Sequence, residues 1–281
     1  MSRLFLDNCL NKSHRYAVEI LSESEIGLTP GVLKKKIVQK TGISGNVAKQ
    51  VIRELIDKGE FVYTYVFGSN YVELSFLRPV QVTEHFTLSP WITTGSGKET
   101  DMEIIIDPGI SFGSGRHPTT RLCLEALEYI FFKKRLLNQD RILKAADIGT
   151  GSGVLAIAVE RAGIADCFAI DTDPNAIAEA KRNIKLNRLE KEINVTDSKI
   201  GNSEKFSLIC ANLRVPTLKK LLSLLYDITY KDSLLVLSGV RIWETDDFLR
   251  SCLNQGFTCI RREDKKNGQE SSSIGQQPET L

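Results

Sequence analysis

A glycine-rich segment near the middle of the chain constrains the possible folds more than any other feature of the sequence. Residues 147–153, DIGTGSG, follow the short apolar run Ala145 to Ile148 and precede an amphipathic run that begins near Val154. Glycine is needed where a backbone turns sharply and a ligand approaches closely, and dinucleotide-binding folds place their ligand at such a strand-to-helix turn. We therefore predict a strand, a turn and a helix, with a ligand at the turn.

The spacing of the glycines indicates which ligand this turn accepts. Gly149, Gly151 and Gly153 form Gly-x-Gly-x-Gly, whereas a pyrophosphate-binding turn has Gly-x-Gly-x-x-Gly, so NAD is the less favoured cofactor. Asp171 ends the next predicted strand, where a carboxylate can accept hydrogen bonds from both hydroxyls of a ribose. The two segments predict an adenosine site, and Asp173 is predicted to cap the following helix rather than to bind the ligand.

The chain around this turn alternates short apolar runs with amphipathic helical runs. The alternation is typical of βαβ units and predicts an α/β fold, a doubly wound, Rossmann-like and mostly parallel sheet over residues 104–265. Residues 81–103 contain prolines and a run of Thr, Gly and Ser, which predicts an irregular linker. Residues 266–281 contain few apolar side chains and are predicted to form a weak edge strand or a disordered tail.

Before the linker, residues 1–80 follow a different pattern. Apolar residues recur at helical spacing over 14–23, 30–40 and 46–58, and two β-type runs, 61–67 and 71–76, then flank a short turn. Gly42 is predicted to end the second helix in a left-handed conformation, and Ser44 is predicted to cap the third. Three helices followed by a hairpin predict a small winged-helix recognition domain.

The partner of this domain is left open by the sequence. The third helix would present Asn46, Lys49, Gln50 and Arg53 to a nucleic acid or to a protein, or would leave them as solvated surface. The basic excess of the domain is small and concentrated in residues 34–40, so docking of a protein substrate is favoured over nucleic-acid binding.

Composition limits the class of protein and of site. With 42% hydrophobic and 26% charged residues and a net charge of +2, the sequence is typical of a globular protein rather than of a disordered, collagen-like or coiled-coil chain. The six cysteines stand singly and there are three histidines, which favours a metal-free site and reduced thiols in the cytoplasm. No apolar run has the length of a membrane-spanning helix, so we expect no membrane partner.

Several of these segments resemble one group of enzymes. Residues 147–153 and Asp171 resemble motif one and the ribose-binding acid of class I S-adenosylmethionine-dependent methyltransferases. Residues 107–120, DPGISFGSGRHPTT, together with 211–213 and 238–240, resemble the ribosomal protein L11 methyltransferase (PrmA) family. The resemblance covers roughly residues 80–262, and it implies a seven-stranded methyltransferase domain with S-adenosylmethionine as its cofactor.

The resemblance also implies which residues hold the cofactor. They are Phe112, Thr119, Thr120, Asp147, Gly149, Thr150, Gly151, Gly153, Asp171 and Asn212. Phe112 would lie against the methionine or adenine part, with Thr119 and Thr120 near the carboxylate end. In a second interpretation, which can hold at the same time, Pro118 and Thr119 start an amphipathic helix that runs to Leu136 and the hydroxyls cap it. His117 is expected to be a lid residue rather than a base, and Asn183 and Asn187 are expected to be structural.

The chain departs from the family pattern where it would face the acceptor. Ser114 and Arg116 stand where the family usually has threonine, and residues 214–216, Arg-Val-Pro, replace its usual Ala-Gly-Pro. The family's usual first domain, a small α/β module, is replaced by the predicted winged helix. The methyl-transfer core is therefore retained, whereas the acceptor-facing rim differs.

Asn212 is the candidate catalytic residue. Methyl transfer from a sulfonium mainly requires alignment, because the donor is already activated. At the predicted carboxyl end of a strand, the Asn212 side-chain carbonyl can accept a hydrogen bond from the acceptor amine and orient it; a turn residue bonded to its own backbone is the alternative. Methylation of a nucleobase would favour an aromatic residue just after it, and residues 212–216 contain none.

Three functions follow, in order of preference. The first is N-methylation of a protein amine, on a lysine or an N-terminus, with a ribosomal protein as one substrate. The second is methylation of RNA or DNA by the same core, with the winged helix binding the nucleic acid. The third is a nucleic-acid-binding regulator that senses the cofactor without catalysis, which would have no need of an acceptor-orienting asparagine.

Overall fold

Two compact units make up the chain, Met1–Arg78 and Pro79–Leu281. The computed structural model describes residues 3–22, 24, 27–66, 69–75, 79–91, 102–107, 117–138, 142–197, 204–264 and 270–276. None of the helices in these ranges has the length and apolar character needed to cross a membrane. The roles assigned to residues 1–80, 81–103, 104–265 and 266–281 stay predictions.

The first unit contains three helices and a hairpin. In chain order these are α1 (Arg3–Ser22), α2 (Pro30–Thr41), α3 (Gly45–Asp57), β1 (Phe61–Val66) and β2 (Ser69–Leu74). The predicted helix boundaries between α2 and α3 are confirmed, because Gly42 is left-handed and the Ser44 hydroxyl accepts a hydrogen bond from the backbone of Val47. The elements occur in the predicted order, and the winged-helix assignment itself stays a prediction.

A seven-stranded sheet is the core of the second unit. Its strands are β6 (Lys144–Ile148), β7 (Asp166–Ile170), β8 (Ile193–Thr196), β9 (Phe206–Asn212), β10 (Thr229–Arg241), β11 (Thr258–Asp264) and β12 (Glu270–Gln276), in the spatial order β11-β12-β10-β9-β6-β7-β8. The strands β10, β9, β6, β7 and β8 are parallel, and β12 runs antiparallel to both of its neighbours. The predicted α/β fold is therefore confirmed.

Five helices accompany this sheet in the second unit, within the described residues. They are α4 (Pro118–Glu128), α5 (Val154–Arg161), α6 (Pro174–Leu186), α7 (Val215–Asp227) and α8 (Ile242–Gln255), and a π-helical turn, Tyr129–Lys133, follows α4. Parallel strands need such crossover helices. The carboxyl ends of the strands then meet at one edge of the sheet. That edge carries the ends of β6, β7, β9 and β10.

The segment expected to be an irregular linker contains strands. A three-stranded sheet is formed by β3 (Val80–Gln81), β4 (Phe86–Pro90) and β5 (Met102–Ile106), with β4 buried throughout and parallel to β5. The expectation of irregular structure over residues 81–103 is wrong for β4. Prolines at 79 and 90 suggested turns, but they stand at or beyond the strand ends, where a missing N–H is tolerated.

The tail expected at residues 266–281 is also different. Residues Glu270–Gln276 form β12, which lies inside the sheet between β10 and β11 and is not an edge strand. Its serines, Ser271, Ser272 and Ser273, are buried. Small hydroxyl residues gave no apolar signal in the sequence, yet a strand that is hydrogen-bonded on both sides can bury them. Residues 265–269 and 277–281 lie outside the described residues.

Asn183 of α6 and Asn187, the residue that follows this helix, attach β5 and Asp107 to it. Asn187 accepts a hydrogen bond from the backbone N–H of Ile105 at 2.9 Å and donates one to the Ile105 carbonyl at 2.7 Å. Asn183 accepts from the backbone N–H of Asp107 at 2.9 Å and donates to the carbonyl of Ser152 at 2.8 Å. Both side chains are buried, so their expected structural role is confirmed.

Replacing Asn183 with alanine should destabilise the second unit by about 2–4 kcal/mol, because two buried backbone groups lose their partner. Both tryptophans, Trp91 and Trp243, belong to this unit, so unfolding in urea followed by tryptophan fluorescence reports on it. Asn175→Ala, an exposed position on the same helix, is the control and should change stability by less than about 0.5 kcal/mol. Equal effects of the two substitutions would contradict the role given to Asn183.

Candidate functional site

The glycine-rich turn has the conformation that its sequence predicts. Gly149, Gly151 and Gly153 have φ values of 75°, 54° and 83°, in the left-handed region that favours glycine. The backbone N–H groups of Gly149 and Thr150 both donate to the carbonyl of Ile170, at 2.8 and 2.9 Å. The turn after β6 is thereby fastened to the carboxyl end of β7, and α5 begins immediately behind it.

Asp171 lies directly beside this turn. One of its carboxylate oxygens accepts a hydrogen bond from the backbone N–H of Gly151, and the other accepts from that of Asp173, both at 3.0 Å. The carboxylate is partly exposed and keeps further lone pairs for a ligand. Asp173 accepts from the backbone N–H of Asn175 at 2.9 Å, so its predicted role as the cap of α6 is confirmed.

Asp147 supports the turn from the buried side. Its Oδ2 accepts hydrogen bonds from the Thr150 hydroxyl at 2.7 Å and from the backbone N–H of Ala156 at 3.2 Å. Burial raises the pKa of this carboxyl to about 7. Its Oδ1 is buried and meets no hydrogen-bond partner among the described residues. Asp147 and Thr150 therefore hold the shape of the turn.

The start of α4 lies near the carboxyl end of β10. The Thr119 carbonyl is 3.5 Å from the Ser238 hydroxyl, which donates to it. His117 caps the helix, because its Nδ1 accepts from the backbone N–H of Thr119, and burial lowers the pKa of the imidazole, which favours the neutral form. The interpretation in which threonine hydroxyls cap α4 is wrong, since the imidazole takes that place.

Thr119 and Thr120 are both fully buried. Within the described ranges, the Thr120 hydroxyl has no partner. Phe112, the remaining predicted contact from this part of the chain, lies outside the described residues.

Asn212 is the last residue of β9. It is the register neighbour of Ser238 on β10, and the backbone N–H of the next residue, Leu213, donates to the Ser238 carbonyl at 3.0 Å. The Asn212 Oδ1 is buried, and it has no hydrogen-bond partner in the part of the chain that the structure describes. The alternative, in which the Asn212 side-chain oxygen bonds to its own backbone as in a turn, is therefore wrong for the described structure.

Two glycines make room for Leu213, a role that the sequence analysis missed. A Cβ on Gly149 would lie 2.4 Å from a methyl carbon of Leu213, and a Cβ on Gly239 would lie 2.5 Å from its carbonyl oxygen. Gly239 has a φ of 83°. The motif Ser238-Gly239-Val240 gave the only sequence signal for this contact. Together the two glycines allow Leu213, and with it Asn212, to lie against the glycine-rich turn.

These residues fit an adenosyl ligand. Two buried polar atoms that lack partners among the described residues, Asp147 Oδ1 and Thr120 Oγ1, belong to elements whose ends meet at this edge of the sheet. Asn212 Oδ1, at the end of β9, is a third such atom and is available to a methyl acceptor. The glycines clear the backbone for close approach, and Asp171 adds a carboxylate with free lone pairs. An S-adenosyl compound, with ribose hydroxyls, a cationic centre and amino-acid polar groups, can use such a donor and acceptor set.

Comparison with known proteins gives one consistent answer. The family model for ribosomal protein L11 methyltransferase (PrmA) matches residues 69–269. A ribosomal protein L11 methyltransferase of Carboxydothermus hydrogenoformans is 34% identical over 189 residues, which are 66% of this chain and 59% of that protein. One of Staphylococcus carnosus is 27% identical over 242 residues, 82% of this chain and 75% of that protein.

A solved structure shows the same fold. The ribosomal protein L11 methylase of Lactobacillus delbrueckii subsp. bulgaricus superposes with a TM-score of 0.63 at 23% identity, covering 72% of this chain and all of that chain. The chain spans less than two thirds of the length of the first relatives that it matches, 59% of one and 57% of another.

Proposed function

Because the chain belongs to the ribosomal protein L11 methyltransferase (PrmA) family, we propose that it transfers a methyl group from S-adenosylmethionine to an amine of a protein. The amine is that of a lysine side chain or of an N-terminus. A ribosomal protein is the favoured substrate, on the strength of the relatives' names. A cytoplasmic location agrees with such a substrate.

The observation that carries this proposal is the position of Asn212. Its buried Oδ1 lies at the carboxyl end of β9, close to the glycine-rich turn, and is free to accept a hydrogen bond from an incoming N–H. The next residue is Leu213 and not an aromatic residue on which a base would stack. This geometry supports an amine rather than a nucleobase as the acceptor.

The cofactor is held by the residues of the turn and its neighbours. Asp171 binds the ribose hydroxyls with the lone pairs that its two backbone partners leave over. The glycine-rich turn provides the close approach, while Thr119 and Thr120 lie near the carboxylate end of the cofactor in this proposal. When bound, S-adenosylmethionine supplies a methyl group on a sulfonium, so the chain needs to contribute orientation and no nucleophile.

The acceptor amine must reach the site in its neutral form. A lysine with a pKa near 10.4 is almost entirely protonated at neutral pH, and an apolar environment shifts it toward the neutral amine. Leu213, the residue after Asn212, and the buried Val215, three residues after it, add apolar side chains to this part of the chain. The first unit docks the protein substrate in this proposal, and nucleic-acid binding through α3 is the alternative that the next experiment tests.

Tritiated S-adenosylmethionine distinguishes the three candidate functions. The purified protein is incubated with a lysate and the labelled cofactor, and samples are then digested with protease or with ribonuclease and deoxyribonuclease. We expect label that is released by protease and resists the nucleases. Label released by the nucleases would show that the acceptor is a nucleic acid, and binding of the cofactor without any transfer would show a sensor.

Cofactor affinity should rise about tenfold between pH 6 and pH 8. Without ligand, Asp147 retains its proton up to about pH 7, and a cationic cofactor favours the ionised carboxyl, so that binding below pH 7 must release this proton. Burial also lowers the pKa of the His117 imidazole, which favours its neutral form. Calorimetry at several pH values measures the effect. The isosteric variant Asp147→Asn should bind with the same affinity at pH 6 and 8, and an unchanged pH dependence in it would contradict the assignment.

A further inference from the structure

An exposed tryptophan follows the active-site edge of β10. Trp243 is 61% exposed, and the guanidinium of Arg241 lies 5.3 Å from the centre of its ring. Arg241 and Trp243 come two and four residues after Gly239, the glycine that leaves room for the backbone of Leu213. The strand β10 pairs with β9 up to Asn212. A large exposed aromatic ring therefore lies five residues beyond Ser238, the register neighbour of the residue proposed to orient the acceptor. Exposed apolar surface often marks a binding site.

Arg214 adds a second positive charge at the same edge. It is exposed, two residues after Asn212, at the start of α7, as Arg241 is at the start of α8. Neither arginine forms an ion pair with any carboxylate of the described residues. The helix starts contribute partial positive charge of their own. We call Arg214, Arg241 and Trp243 the acceptor rim.

We propose that the acceptor rim binds an acidic stretch of the substrate polypeptide that flanks the methylated amine. Carboxylates of the substrate pair with the two guanidinium groups, and the aliphatic part of a substrate side chain packs on the free face of Trp243. This inference rests on the proposed function, because it assigns the substrate preference of the same site. It also gives a role to Arg214, which departs from the Ala-Gly-Pro usual in the family.

The surrounding charges favour a short acidic peptide over RNA. Asp246 and Asp247 of α8 each pair with a cation, Arg262 and Lys219. Glu244, the residue after Trp243, accepts a hydrogen bond from the backbone N–H of Arg241 and forms no ion pair among the described residues. A nucleic acid carries one charge per phosphate along its whole length, so a strand crossing the rim would meet this carboxylate. A peptide, by contrast, can carry acidic residues only where they meet Arg214 and Arg241 and neutral residues elsewhere.

The test uses the full chain with Trp91→Phe, which leaves Trp243 as the single tryptophan. Its fluorescence is followed while adding a capped peptide with one lysine between two pairs of glutamates, the same peptide with glutamines, or a single-stranded RNA of similar length. We expect the glutamate peptide to bind at least about tenfold more tightly than the glutamine peptide, and its affinity to fall as the salt concentration is raised. Arg241→Gln and Arg214→Gln should each lower the affinity for the glutamate peptide by about threefold to tenfold.

Arg250→Gln is the matched control, because Arg250 is an exposed arginine of the same helix, α8, and should leave peptide binding unchanged. Equal binding of the two peptides, no change of Trp243 emission, or tighter binding of the RNA would each overturn the proposal. The assay involves no methyl transfer. Loss of transfer with intact peptide binding would therefore count against the proposed function and not against the acceptor rim.

Discussion

Replacing Asn212 with alanine is expected to slow methyl transfer by about a hundredfold or more while leaving cofactor affinity within about threefold. The Asn212 Oδ1 is buried and has no partner among the described residues, so it is available to hold the acceptor N–H in line with the methyl group. Its loss leaves the glycine-rich turn and Asp171 intact, because neither of them bonds to the Asn212 side chain. Single-turnover kinetics and calorimetry measure the two quantities separately.

Asp171→Ala serves as the comparison for this prediction. It removes a carboxylate that accepts from Gly151 and Asp173 and is proposed to bind the ribose, so it should weaken cofactor binding by about 1.5–3 kcal/mol. The two variants should thus fail in different steps. Undiminished turnover in Asn212→Ala would mean that this residue is only structural, and unchanged cofactor affinity in Asp171→Ala would refute the ribose assignment.

The part of the site that could be predicted from the sequence is the part built from local contacts. The turn at 147–153, the cap at Asp173 and the helix junction at Gly42 and Ser44 depend on backbone conformations that a few adjacent residues determine. The assignment to the methyltransferase family is confirmed as well, since its motifs are continuous in sequence. Local chemistry therefore predicted the conformation of the turn that is proposed to bind the cofactor.

Contacts between distant segments could not be predicted in the same way. Asn183 was expected to be structural, but its partners, Asp107 and Ser152, lie 76 and 31 residues away. The sequence predicted a weak edge strand or a tail at the position of β12, and its place inside the sheet was missed. Buried serines give no periodic apolar signal, and the position of β12 depends on pairing with β10 and β11. Long-range hydrogen bonds and strand order depend on the packing of the whole sheet, so they could not be predicted from the local pattern of a single sequence.

The same distinction applies to the residues around the acceptor. The motifs at 211–213 and 238–240 were noticed separately, and only the structure shows that Gly239 clears space for Leu213. Positive φ and the contact with another backbone segment cannot be read from a single glycine in a strand, where a bulge is an equally good interpretation. The register of β10 does shift between Ser238 and Val240. The glycine thus combines a bulge with a close approach.

Replacing Gly239 with alanine should lower both stability and activity. The new Cβ would lie 2.5, 2.8 and 3.0 Å from the carbonyl oxygen, carbonyl carbon and nitrogen of Leu213, and φ is 83°, so that overpacking and backbone strain act together. We expect the free energy of unfolding to fall by about 2–5 kcal/mol. Because Leu213 must move, Asn212 moves with it, and turnover should fall by about a hundredfold.

Gly163→Ala is the control that distinguishes displacement of Asn212 from general destabilisation. Gly163 also has a positive φ, 117°, but a Cβ there would meet nothing within 4 Å, so this variant suffers strain without a contact and should keep its activity. A similar loss of turnover in both variants would show that general destabilisation, and not displacement of Asn212, explains the effect of Gly239→Ala.

A second substitution at Leu213 gives a sharper test. At Gly149 the added Cβ would strike the Leu213 side chain, at 2.4 Å from its Cδ2, whereas at Gly239 it would strike the Leu213 backbone. Leu213→Ala should therefore partly restore the stability of Gly149→Ala, because it removes the atoms in conflict, and should not restore that of Gly239→Ala, because every backbone atom remains. Equal recovery in both double variants would contradict the geometry by which Gly239 positions Leu213 and Asn212.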